Sequence, residues 1–132
     1  MLALTSLIFA TNAVHAWTRS AYGYSAALAG LTVSSVALHS SDKSRLYENP
    51  WFWIDQLMLV IVFSVGLWYM LHGSIEMQTV TVITCSLVFA LYYGGQLSAS
   101  CCFDPCTKTA TFSHSCMHLI GSVGHHCIIA AL

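Results

Sequence analysis

Five apolar stretches run through this chain with only short polar breaks between them, at about residues 1–17, 21–40, 51–72, 80–98 and 110–132. Crossing roughly 30 Å of hydrocarbon takes about 20 residues of α-helix at ~1.5 Å per residue, and each stretch is near that length. A bilayer core admits only helices and closed barrels, because every backbone N–H and C=O must find its partner inside the protein. A barrel requires at least about eight alternating strands of roughly ten residues, and no such alternation occurs in this sequence. The sequence therefore predicts an all-α fold: a polytopic membrane helix bundle of about five transmembrane helices, forming a single domain over residues 1–132. Charge usage agrees, since 7% of residues are charged and 57% are hydrophobic, against roughly 25% charged in a soluble domain.

Punctuation and anchors follow the same pattern. Asn49 and Pro50 open the third stretch and Gly73-Ser74 closes it. Tyr22, Tyr24, Trp51, Trp53, Trp68, Tyr69, Tyr92 and Tyr93 fall near segment ends, where aromatics anchor at a membrane interface. A net charge of -1 gives nucleic acid no electrostatic footprint, so it is excluded as a partner. Lys43, Arg45 and Lys108 fall on the side of the N-terminus and Arg19 on the other, which predicts a cytoplasmic N-terminus. Ala13-Val14-His15-Ala16 has the look of a signal-peptidase site, but no Lys or Arg precedes the apolar run, so the segment is read as a retained helix.

Ionisable groups are costly in such segments and mark a site facing the bundle interior. Ser35-Val-Ala-Leu-His39 and His114-Ser-Cys-Met-His118 are both i, i+4 pairings, which put each pair on one helical face. Five alternating passes carry His39, Asp55, His114 and His118 toward the same membrane face, within about one or two turns of it. His15 and His72 fall at the opposite face, with His125 and His126 deeper or beyond. Three imidazoles suit zinc and leave a fourth tetrahedral position for water, whose pKa zinc lowers to about 7. The predicted site is thus Zn2+ on His39, His114 and His118. Asp55 is the general base or hydrogen-bond partner of the water, and Ser35 orients Asp55 or stabilises an oxyanion.

Other readings of these residues stand beside this one. An intramembrane His also serves as a helix-to-helix hydrogen-bonding group, and His125 and His126 are assigned to that class. A haem b held by two facing histidines is the third possibility, disfavoured by the carboxylate at the same depth. Cys101, Cys102 and Cys106 crowd one loop: on a cytoplasmic face they suit reversible S-palmitoylation, on the other face a disulfide, and as unassigned surface thiols neither.

Taken in order, Ser35-x-x-x-His39, the helix-initial Asp55 and His114-x-x-x-His118 in the last helix resemble the CREST superfamily. That group joins alkaline ceramidases, progestin and adiponectin receptors, post-GPI-attachment factors and the transmembrane-8/myomaker proteins. Thr5 to Trp17, then Ala26 to His39 and Ser40-Ser41-Asp42, look like its opening helix pair. The resemblance spans about residues 5–72 and 107–127 and implies zinc on His39, His114 and His118 with Asp55 and Ser35 beside it. It also implies a membrane lipid as substrate or ligand. Enzymes of the group hydrolyse lipid amides or esters; other members are receptors or act in membrane fusion, so a non-catalytic protein retaining a structural zinc is the alternative. Two features depart from the pattern. The family has seven helices where five are predicted here, a thinner wall that homo-oligomerisation would restore. The His39 to Asp55 interval is also longer than in the ceramidases, closer to the transmembrane-8 branch.

Overall fold

Asn49 and Pro50 start the most apolar rod by two complementary means. The Asn49 side chain accepts the Trp51 N–H at 2.9 Å, and proline occupies the first turn, where no backbone donor is needed. Helix α4 then runs from Pro50–Leu71 and ends at His72-Gly73, and the Ser74 hydroxyl caps α5 by accepting the Met77 N–H. Helix α5 (Ile75–Phe89) continues through a π-helical turn (Ala90–Gly94) into α6 (Gly95–Ser98) and stops at Ala99 in the left-handed region, φ 49°. Gly95 is needed there, since a Cβ on it would lie 2.7 Å from the Ser100 carbonyl oxygen that folds back over it.

The computed structural model describes residues 2–41 and 46–132. Before α4 come α1 (Leu2–Ser6), α2 (Ile8–Thr18) and α3 (Tyr22–Ser40), and after α6 comes α7 (Thr107–Ala130). Short 3-10 turns cover Leu46–Glu48 and Cys101–Phe103. Lys43 and Arg45, on which the orientation reading rests, and Asp42 of the Ser40-Ser41-Asp42 ending lie outside the described residues.

The fold is all-helical, with no strand among the described residues and a helix on each of the five apolar stretches. Two helices are long and apolar enough to cross a membrane, Pro50–Leu71 and the continuous Ile75–Ser98. The other three rods fall short of that measure for a local reason. The first is broken at Leu7 into 5 and 11 residues. Helices α3 and α7 dilute their apolar content with serines, threonines and histidines spaced along one or two faces.

Polar residues from several helices turn inward. Ser6, Asn12, Ser25, Thr32, Ser34, Ser35, Asp55, Thr81, Ser115, His118 and Ser122 are buried, while Trp53, Val60, Trp68 and Leu71 on α4 are more than half exposed. Small residues Ala13, Ala16 and Ala27 let α2 and α3 approach closely around Phe9, Tyr24, Leu28 and Leu31. Helix α3 packs on α2 and α4, and α7 packs on α5 and α2; α4 and α5, although consecutive, touch little beyond their shared hairpin. Asn12 and Ser122 exchange two hydrogen bonds, Nδ2–H to the Ser122 carbonyl at 2.9 Å and Ser122 Oγ–H to Oδ1 at 2.7 Å. The Arg19 guanidinium covers the last turn of α7 by donating to the Ile129 and Ala130 carbonyls.

Candidate metal centre

Helix α3 delivers His39 in its last turn, and α7 delivers His114 and His118 one turn apart. The rings meet with centroids 4.9 Å (His39 and His114), 5.4 Å (His39 and His118) and 4.8 Å (His114 and His118) apart. One ligand nitrogen from each lies within 4.8 Å of the other two, close enough to hold a metal ion. Tetrahedral coordination at roughly 2.0–2.1 Å per nitrogen asks for nitrogens about 3.3 Å apart, so modest ring rotations close the set. Asp55 is not in this ligand group.

Thr5, on α1, orients the deepest ring. Its hydroxyl proton is directed to the Leu2 carbonyl at 2.9 Å, so the oxygen accepts from His118 Nδ1–H at 3.0 Å and the Nε2 lone pair is left for a metal. Phe9 packs edge-on against the same imidazole, centroids 5.6 Å apart. Histidine spacing gives no sign of Thr5, although Thr5-Ser6 is the one adjacent polar pair in the first ten residues. Ser6 is equally engaged, 3.0 Å from Ser35 Oγ. The break at Leu7 thus leaves α1 as a bracket joining α3 to α7 beside the three histidines.

Ser34, not Ser35, holds Asp55. Its hydroxyl donates to Oδ1 at 3.0 Å, while Ser35 is hydrogen-bonded to Ser6. Neighbouring residues on a helix differ by about 100° in direction, so the face of α3 turned to α4 carries Ser34 and the next residue looks toward α1. The i, i+4 relation between Ser35 and His39 could not reveal which of two adjacent serines meets a third helix.

Asp55, Ser35 and the three histidines line one cavity of about 470 Å³. Leu59 and Phe63 wall it from α4, Thr84 and Val88 from α5, and it extends along α7 as far as His125 and Ile128. Because α4 and α5 splay apart, the cavity lies between them, bridged by the edge-to-face pair Phe63 and Phe89 at 6.0 Å. Gly124 brings α5 and α7 together, since a Cβ there would lie 2.5 Å from Thr84 Oγ1.

The remaining histidines hydrogen-bond between or within helices. His126 meets Thr11 Oγ1 at 3.0 Å and His15 at 2.9 Å, His125 meets the Tyr24 hydroxyl at 2.6 Å, and His72 bonds the Trp68 carbonyl in its own helix. Tyr24 therefore departs from the interfacial role expected of it: it is fully buried, because its hydroxyl finds a partner inside and its ring stacks on Tyr69. All six cysteines are free thiols. Burial, with smaller contributions from Cys101 and Cys116, pushes the Cys102 thiol up to about 11. At the start of α7 the N–H of Thr109, its hydroxyl and the Lys108 N–H hold the exposed Cys106 thiol below its usual value.

No protein-family profile matches the sequence, and no curated protein or solved structure is significantly similar to it.

Proposed function

We propose that this chain is a CREST-like, zinc-dependent membrane hydrolase that cleaves an amide or ester bond of a lipid, with its five helical rods crossing the bilayer. One observation carries the reading: three imidazoles from two helices converge at one end of an apolar-walled cavity that also holds a buried carboxylate. The many exposed large apolar side chains, together with polar residues such as Asn12, Ser34, Asp55 and His118 buried among the core, support the membrane setting. An all-imidazole donor set of three supports zinc over the harder, oxygen-seeking divalent ions. The gap between α4 and α5, walled by Leu59, Phe63, Val88 and Phe89, suits lateral entry of an acyl chain.

When bound, zinc supplies Lewis acidity and a water of lowered pKa. The chain's own residues do the rest. Thr5 fixes the His118 tautomer and leaves Nε2 free as a ligand atom. Asp55, held by Ser34, takes the proton of the attacking water and returns it to the departing amine or alcohol. Water thereby adds across the scissile bond and yields a carboxylic acid plus that leaving group. The cavity walls exclude bulk water from the exchange.

Zinc content of the detergent-purified protein, with lipid turnover in wild type and in Asp55→Asn, tests this directly. Support is about one zinc per chain and turnover lost in Asp55→Asn with the zinc retained. Zinc equal in wild type, His114→Ala and His118→Ala would remove the site. A second reading, a receptor or membrane-remodelling protein with structural zinc, is favoured by the engagement of Ser35 with Ser6, which shrinks the catalytic group. Bound zinc and lipid without product from ceramide, lysophospholipid or GPI-type substrates would select it.

A further inference from the structure

The cavity has a second polar end. Seven residues beyond His118 on α7, two turns on and therefore on the same face, His125 also lines the cavity. The two imidazoles are separated by about 10 Å along the helix axis. Gly121, between them, also lines the cavity and adds no side chain to its wall.

The chemistry presented by His125 follows from its neighbours. Tyr24 is fully buried and its hydroxyl makes one hydrogen bond among the described residues, to His125 Nδ1 at 2.6 Å. Leaving a buried O–H undonated costs about 1–3 kcal/mol, so the tyrosine donates and Nδ1 accepts. The neutral imidazole then carries its proton on Nε2. That nitrogen has no hydrogen-bond partner among the described residues and is not sealed from open space. Gly66 makes the arrangement possible, since a Cβ on it would lie 2.9 Å from the Tyr24 hydroxyl oxygen. Thr81 and Thr84, which line the same end, commit their hydroxyl protons to α5 carbonyls at 2.8 Å and 3.0 Å. His125 is thus an N–H donor set in a largely apolar wall, with the Cys85 thiol a weak donor nearby.

We propose that His125, positioned by Tyr24, recognises an oxygen acceptor on the ligand's chain, a keto or hydroxyl group about 10 Å from the group held at the histidine cluster. The preferred ligand is then an oxygenated acyl chain with polar groups at both ends of the cavity. This rests on reading the cavity as a lipid site and not on the metal.

The test uses two probe series in detergent solution. On zinc-loaded protein, octadecanoyl hydroxamate is compared with analogues carrying one keto group moved along the chain; on metal-free protein, octadecane is compared with its mid-chain ketones. The expected result is about a tenfold affinity gain for the keto position that reaches His125, in both series. The gain disappears in His125→Leu and shrinks in Tyr24→Phe. Equal affinity at every keto position, or a gain that survives His125→Leu, overturns the proposal. A His125-dependent gain for the ketones with no hydroxamate binding upholds it while refuting the metal reading. Should His125→Leu fail to fold, nitrogen NMR of wild type decides: a protonated Nε2 that shifts with the ketone and not with octadecane supports the assignment, and an unmoved resonance sinks it.

Discussion

The two sides of the cavity solve opposite problems. On one side, α4 and α5 form an apolar wall whose large side chains face outward: Trp53, Trp68, Ile83 and Leu87 are all exposed. On the other, α1, α2, α3 and α7 are stitched by polar contacts at nearly every turn, from Thr5 on His118 through Asn12 on Ser122 to Thr11 and His15 on His126. The wall satisfies the length and hydropathy test for a membrane crossing and the stitched side does not. The three imidazoles are carried by α3 and α7, which fall short of that test, whereas Asp55 sits near the start of α4, which passes it. The candidate site is thus assembled across the contrast, with imidazoles from the stitched side and a carboxylate from the wall.

Substitution at the histidine cluster breaks this contrast most sharply. If the cluster holds zinc as proposed, His118→Ala should lower it from about one per chain to a small fraction, because two ligands rarely retain zinc where three are needed. Metal analysis of purified protein checks it, with Trp68→Leu on the opposite wall expected to keep its full complement. Next in size is the carboxylate. Removing a positioned general base costs typically about 10²–10⁴ in rate, so if the chain is the proposed hydrolase, Asp55→Asn should lose about that much turnover with zinc unchanged. Ser34→Ala, which frees the carboxylate from its one hydrogen-bond donor among the described residues, should lose less, and Ser35→Ala should act through α1. If Ser35→Ala and Ser34→Ala exchange their effects, the assignment of Ser34 as the positioning residue is wrong.

Much of this division was legible in the sequence. Helix positions follow from apolar run length, and the three histidines singled out by their spacing, His39, His114 and His118, do lie close enough to hold a metal ion. What was not legible is azimuthal and tertiary. Which of Ser34 and Ser35 faces Asp55 depends on how α3 is rotated against α4, which an i, i+4 count cannot supply. Tyr24 lies near a segment end, yet a partner 101 residues further along the chain, His125 on α7, decides its burial. Thr5 belongs to a helix only 5 residues long, and the break at Leu7 that aims it carries no glycine or proline to announce it.

Thr5→Val sharpens the comparison at the next smaller scale. Loss of a ligand's outer hydrogen-bond partner costs typically about 10–100-fold in metal affinity. Zinc competition with a chelator of known strength should therefore find Thr5→Val weakened by that factor, while wild-type helix content is kept. An unchanged affinity would mean that Phe9 packing alone orients His118.

Asn12 offers the smallest and cleanest contrast between the two sides. It is fully buried and is bonded twice to Ser122, so Asn12→Leu leaves the Ser122 carbonyl and hydroxyl to find new partners inside the bundle. Interhelical hydrogen bonds in membrane proteins contribute about 0.6–2 kcal/mol, and the unfolding midpoint in a mixed-detergent titration should fall accordingly. Trp68→Leu, on an exposed face, should move it by less than about 0.5 kcal/mol. The order matters more than either value: if the tryptophan change costs more than the asparagine change, the bundle is held by its apolar wall and the polar stitching is incidental to stability.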